Sequence, residues 1–261
     1  VPGGPDFDNQ LMGIASELVL ARSVRDVQAA FAAVQLPMLP VALSRSHRVA
    51  LAIPARCDAA QIGAARAAAA ALSHAGCTIH DIPAPDNMGA EAHAIARTIL
   101  AVSLAAWLKT LKIANDRVPA IVAALAAEGR ATPATDLFAA TRRMACLSDR
   151  ARMMFANVDA VLSPILSTVP PPLGAFQLDH TDTDAHFAKM EAFAPNAALA
   201  NVAGLPALVL PFGMQGEMPV GVQLWGPPGA DLVLCHLAGL IEAGAPALRL
   251  GYIVAPWELL A

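Results

Sequence analysis

Serine, lysine, histidine and cysteine are the side chains with which this chain could do covalent or acid–base chemistry, and their spacing bounds what that chemistry can be. None of the nine serines (Ser16, Ser23, Ser44, Ser46, Ser73, Ser103, Ser148, Ser163 and Ser167) follows a glycine. A nucleophilic serine is commonly held on a sharp, glycine-flanked turn that exposes its hydroxyl, and neither a GxSxG elbow nor any glycine-serine turn is present. Lys109 and Lys112 fall on one helical stretch and Lys189 on another, which reads as solvated surface rather than general base. His74 and His80 flank a helix end and a strand, and His93 lies near a helix start. His180 and His186 share a segment with Asp179, Asp182 and Asp184. Imidazoles and carboxylates can hold a divalent cation, but this spacing matches no metal motif, and Asp and Thr favour polar turns in their own right. No metal and no cofactor is expected, and no P-loop or GxGxxG precedes a helix. Cys57, Cys77, Cys146 and Cys235 are far apart with no CxxC pair, the pattern of small buried thiols in a reducing cytoplasm.

The elements that would position these side chains are legible from periodicity. Apolar residues at Leu18, Leu20, Val24, Val27, Ala30 and Phe31 predict a helix begun by Ser23 as N-cap and ended by Pro37 and Pro40. RVALAI at 48–53 predicts a strand stopped by Pro54. An alanine-rich helix from Asp58 to about His74, Gly76 as C-cap and a second strand at 77–82 complete a strand–helix–strand unit. Residues 86–156 predict helices broken near 115–119 and 129–133, and 158–162 a buried strand before the prolines at 170–172. One helix over about 187–202, strands at 207–211 and 220–225 joined as an antiparallel hairpin, and a closing helix over about 230–243 follow.

Composition bounds the function. The 261 residues are 56% hydrophobic, 15% charged and 5% aromatic, so alanine and small aliphatics form much of a sizeable core. A net charge of −4 without a basic patch gives no case for nucleic acid. Mean hydropathy is +0.53, and residues 192–216 carry no charge over a length that could span a bilayer. Pro195, Pro206, Pro211, Asn196 and Asn201 interrupt that stretch, so it reads as a buried helix followed by a buried strand, and no membrane partner is expected. Val1-Pro2-Gly3-Gly4 shows neither an initiator methionine nor signal-peptide regions, as expected of a fragment, a processed product or a truncated reading frame.

Several segments, in order, resemble the amidase-signature family. Gly4-Pro5-Asp6, Gly13 and Glu17-Leu18-Val19-Leu20-Ala21-Arg22-Ser23-Val24-Arg25-Asp26 are similar to the family's segment after its signature, a variant of "GPLARSVRD". The Gly-Pro-Asp element resembles most the branch that includes 6-aminohexanoate cyclic dimer hydrolase. Asp159 to Ile165 is similar to "DVLLTPT", Pro195 to Pro211 to "PFTALFNLTGLPALSLP", Pro219 to Gly226 to "LPVGVQLVG", and Asp231 to Ile241 to the family's closing helix. Singly these matches are weak, because Gly/Pro-punctuated apolar strands are common; their shared order carries the resemblance.

The resemblance implies an α/β fold: the C-terminal part of the amidase-signature α/β/α architecture, a mixed sheet covered by helices on both faces. Residues 1–261 would be one portion of a single domain. It implies hydrolysis of carboxamide C–N bonds by a Ser-cis-Ser-Lys centre lying upstream, so that no residue of this chain is catalytic. Pocket-lining passes by resemblance to Ile165, Leu166, Asn196 and Ala197. Asn201 is expected to tie backbone rather than touch substrate, since a buried amide needs its hydrogen bonds met. Ile165 replaces the family's usual threonine, and Asn196-Ala197 its usual Phe-Thr pair, so the pocket wall departs from the family's pattern at these positions. The implied partners are the N-terminal half of the same amidase, in cis or as a separate chain, and a small-molecule amide. Self-association through uncovered strand edges is expected. The rival readings are a non-catalytic structural or binding subunit, a degenerate pseudoenzyme, or an independent α/β binding protein, which would leave the ordered matches unexplained.

Overall fold

The computed structural model describes residues 10–16, 18–34 and 46–246. Gly4-Pro5-Asp6, Glu17, Pro37 and Pro40 lie outside the described residues.

Helix α1 (Val24–Val34) starts where expected, with the Ser23 hydroxyl accepting the Asp26 N–H at 3.2 Å. Strand β1 (Arg48–Ile53), helix α2 (Ala59–His74) and strand β2 (Thr78–Pro83) form the strand–helix–strand unit, with β1 and β2 parallel. Asp58 caps α2, its carboxylate accepting the Gln61 N–H at 2.9 Å. Three helices follow: α3 (Asp86–Thr110), α4 (Ala120–Ala131) and α5 (Ala134–Met153). Strand β3 (Ala160–Pro164) pairs parallel to β1 and is buried along its whole length. It begins two residues later than its apolar run predicts, because Asp159 is held by the Arg48 backbone and pairing starts at Val49↔Ala160.

The helix expected as one over about 187–202 is two: α6 (Thr183–Phe193) and α7 (Ala197–Ala203). Pro195 lacks an N–H and disfavours helical backbone in the residue before it, and Ala194 is displaced to φ −135°, ψ 70°. Strands β4 (Ala207–Gln215) and β5 (Met218–Trp225) form the antiparallel hairpin, and α8 (Asp231–Gly244) closes the described chain. The turn is tighter than expected: β4 runs on through an irregularity at Pro211/Met214, and Gly216 supplies the left-handed residue with φ +61°.

The strand order is β2-β1-β3-β5-β4, parallel through β1, β2 and β3 and antiparallel across β3, β5 and β4. Alternation along each strand feeds two cores. Val49, Leu51, Leu162, Val222 and Leu224 face α2 and α8. Ala50, Ala52, Val161 and Trp225 face the other way, against Ile95 and Ile99 of α3, Leu147 of α5 and Leu199 of α7. The sheet is thus mixed with helices on both faces. β4 differs from the buried strand expected, since Leu210 and Phe212 are buried but Ala207, Val209 and Pro211 on its other face are exposed. By length and composition α3 is long and apolar enough to cross a bilayer. Here Ile95 and Ile99 are fully buried in the second core, while Glu91 and Arg97 form ion pairs on its flanks.

Candidate functional site

In open α/β sheets, ligands gather outside the carboxyl ends of the parallel strands, where successive loops diverge. Strands β1, β2 and β3 end at Ile53, Pro83 and Pro164, and the segments that leave them are laced together. The Asp58 N–H donates to the Ser167 carbonyl at 2.8 Å, and the Cys57 thiol to the Leu166 carbonyl at 3.5 Å. Asp86, at the start of α3, accepts from the Ala55 N–H at 3.2 Å on one oxygen and from Asn196 Nδ2 at 3.4 Å on the other. The Ser167 N–H donates to the Phe193 carbonyl at 2.8 Å, and its hydroxyl to the Ala192 carbonyl at 2.7 Å. His93 Nε2 meets the Ala194 carbonyl at 3.0 Å. The loop after β3, the start of α3 and the α6–α7 junction are therefore tied into one unit.

Ile165 is half-buried over β5, its Cγ2 lying 3.1 Å from where a Cβ on Gly221 would be. Leu166 is half-buried and bound through its carbonyl. Asn196 is only 2% exposed. Its Oδ1 has no hydrogen-bond partner and lies 2.2 Å from where a Cβ on Gly89 would be, so α3 presents a glycine to it. Ala197, one residue on, lines an apolar cavity of about 570 Å³ between α3, α6 and α7. Asn201 Nδ2 donates to the carbonyl of buried Ile14 at 2.9 Å, although Asn201 itself is exposed. A depression of about 660 Å³ lies over α2 and β4 and adjoins residue 246, the last of the described chain.

The strand-end region is half-buried at Cys57, Asp58 and Asp86 and exposed at Ala55 and Arg56. Burial, aided by Asp58 and Asp86, pushes the Cys57 thiol up to about 11, so it is not a thiolate nucleophile at neutral pH. Burial, then His180 and Lys189, lowers the His186 imidazole. Lys109, Lys112 and Lys189 are exposed. Asp182 caps α6 through the Ala185 N–H at 2.9 Å, and Asp184 pairs with Arg97 at 2.6 Å. Two of the segment's three carboxylates, Asp182 and Asp184, are thus engaged in structure, and among the described residues no group of three metal-binding side chains converges. Asp86, Gly89 and the cavity's Phe176, Phe187 and Phe193 were not singled out by residue type. The available signal was the crowding of three of the chain's eight phenylalanines into 176–193.

An open mixed α/β sheet covered by helices on both faces defines a broad class, and comparison narrows it. The amidase family model matches residues 13–235, and the chain belongs to that family. It is 30% identical over 228 residues to the amidase-family protein AmiB2 of Mycobacterium tuberculosis, covering 83% of this chain and 46% of that one. It is 37% identical over 94 residues to the 2-amino-5-chloromuconic acid deaminase of Comamonas testosteroni, covering 36% of this chain and 20% of the other. The structure of 6-aminohexanoate cyclic dimer hydrolase shares the fold, with a TM-score of 0.81 at 24% identity over 94% of this chain and 57% of that one. The chain thus spans about half the length of the relatives that it matches along most of its own.

Proposed function

We propose that these residues form the substrate-pocket portion of an amidase that hydrolyses carboxamide C–N bonds through an acyl-enzyme, with the catalytic serines and lysine supplied from outside the 261 residues. The family match over 13–235, on a mixed α/β sheet whose covering helices α3, α6 and α7 enclose the Ala197 cavity, supports this reading. A serine Oγ would attack the amide carbon while its proton passes through the bridging serine to a neutral lysine. Collapse of the tetrahedral intermediate would release the amine, protonated on leaving, and water would then cleave the ester. The reaction needs no metal or cofactor. The four free thiols fit a reducing cytoplasm.

The exposed face of β4 supports a partner region that docks there. On the face opposite α2 and α8, β4 leaves Val209 54% exposed, beside Gly221 and Ile165. An open apolar strip of this kind marks a surface that another part of a protein covers. The second reading, a non-catalytic subunit, is favoured by the exposure of all three lysines and by nine serines without a glycine before them.

The test is to express residues 1–261 with and without the upstream coding region and to assay 4-nitroacetanilide hydrolysis. Activity should require the upstream region, and mass spectrometry should find no stoichiometric acyl group on residues 1–261 alone. Acylation of any of the nine serines would overturn the assignment of catalysis elsewhere.

A further inference from the structure

The cavity beside Ala197 has a wall unlike the rest of this aromatic-poor chain. Phe176, Phe187, Phe193 and His186 all line it, and their rings pack as a set. The His186 ring lies 5.9 Å from Phe176 at 73° and 6.1 Å from Phe187 at 71°, while Phe193 lies 6.0 Å from Phe176. Edge-to-face contact is the arrangement that aromatic groups prefer, and an entering ring would extend it. The opposite wall is aliphatic, with Ala96 and Leu100 from α3 and Leu11 and Ile14 from the N-terminal turn. Among the described residues, the other polar lining group is His93, which is already engaged with the Ala194 carbonyl.

Among the described residues, none that lines the cavity carries a fixed charge, and the His186 imidazole is held toward its neutral form by burial. Lys189 and Arg97 stand 5.0 Å and 5.2 Å from the Phe176 and Phe187 ring centroids, but neither lines the cavity. Arg97 is matched by Glu128 and Asp184, and the Lys189 ammonium donates to the Ala175 carbonyl. A carboxylate or ammonium entering the cavity would lose its hydration without gaining a counter-ion. An apolar group would lose nothing and would leave water. The volume of about 570 Å³ suits a small-molecule substituent, since ligand pockets run from about 300 to 1,000 Å³.

We propose that this cavity is the subsite for an uncharged apolar group of the amide substrate, aryl or alkyl, and that it discriminates against charged amides. The inference rests on the amidase reading above and names the substrate class for it.

The test measures kcat/KM of the full-length enzyme for phenylacetamide, hexanamide, acetamide and succinamate. Phenylacetamide or hexanamide should exceed succinamate by at least tenfold, and the better of the two identifies the group as aryl or alkyl. Ala197→Phe, which fills the cavity from α7, should lower the ratio of the better apolar amide to acetamide at least tenfold. Ala96→Leu, from the opposite wall, should lower it in the same direction and guards against misfolding of the first variant. Succinamate turned over as well as hexanamide, or a ratio unchanged in both folded variants, would overturn the subsite. Failure to hydrolyse any amide, acetamide included, would instead remove the amidase reading. Calorimetric titration with phenylacetamide then decides the cavity independently: binding abolished by Ala197→Phe supports an apolar site, and no binding to the unaltered protein refutes it.

Discussion

Asn196 shows how much one buried amide constrains its surroundings. Resemblance places it among the pocket residues, yet its side chain lies at 2% exposure between Asp86 and the bare Cα of Gly89. Replacing it with the aromatic residue commoner in the family would drive a ring into the α3 backbone, and overpacking of this kind costs about 1–3 kcal/mol. Asn196→Phe should therefore lower the unfolding midpoint in denaturant. Asn196→Ala should cost less than about 1 kcal/mol, because it removes a long hydrogen bond and an unpartnered oxygen together. Equal losses in the two variants would mean that the site is not tightly packed. A second residue-scale prediction concerns His236, whose imidazole is lowered by burial first and then by His47, 5.5 Å away ring to ring. Between the lowered value and the ordinary 6.5, the unfolded chain binds more protons than the folded one, so stability rises with pH. That stability is whole above pH 6.5 and is lost as pH falls through the lowered value. The Tm should fall as pH drops from about 7.5 to about 5.5, and His236→Gln should flatten the slope. Glu91 is held below its ordinary 4.5 by hydrogen bonds from Arg150 and Arg143, so its contribution is lost only in a more acid window.

At the scale of elements, helix crossings depend on where glycine falls. Gly129 of α4 rests on the backbone of α3, and a Cβ there would lie 1.9 Å from the Ala101 carbonyl oxygen. Gly→Ala in a helix interior gains about 1 kcal/mol of propensity, but backbone cannot yield as a side-chain tip can. Gly129→Ala should therefore destabilise by about 1–3 kcal/mol net. Gly239 in α8 has nothing within 4 Å of the same position, and Gly239→Ala should stabilise by about 0.5–1 kcal/mol. Urea denaturation of the pair checks both signs, and a stabilised Gly129→Ala would contradict the close α3–α4 crossing. Arg97 gathers the same region electrostatically, joining α3 to Glu128 of α4 and to Thr183 and Asp184 of α6. Those contacts hold α6, and with it Phe187, against the cavity.

At the scale of the whole molecule, the described sheet is covered on one face and partly open on the other. β2 and β4 flank it, and β4 and β5 expose Val209 at 54%, Met218 at 41% and Met214 at 40%. Open strand edges with apolar side chains recruit other chains. Residues 1–261 expressed alone should self-associate in light scattering, and Val209→Lys should reduce the association. A stable monomer with cooperative unfolding would favour the independent-domain reading instead. Co-expression with the upstream region should have the same effect as Val209→Lys, by covering the strip rather than charging it.

The sequence by itself determined the elements whose signals are local. Ser23, Asp58 and the run RVALAI placed α1, α2 and β1 because caps and strand periodicity act within a few residues. The order of its Gly/Pro-punctuated segments determined the family, which needs no contact geometry to be read. It could not determine that α6 and α7 are separate: apolar residues continue on both sides, and only the backbone at Ala194-Pro195 breaks the helix. Nor could it determine which of two adjacent residues faces a cavity. Asn196 and Ala197 are neighbours, yet one is sealed against Gly89 and the other opens onto the apolar pocket. Their orientation depends on Asp86, 110 residues earlier in the chain, on Gly89 beside it, and on Phe176, Phe187 and Phe193 meeting across α6. Contacts over such separations exist only once the sheet has set the helices in place, so tertiary structure alone decided which of these residues lines the cavity.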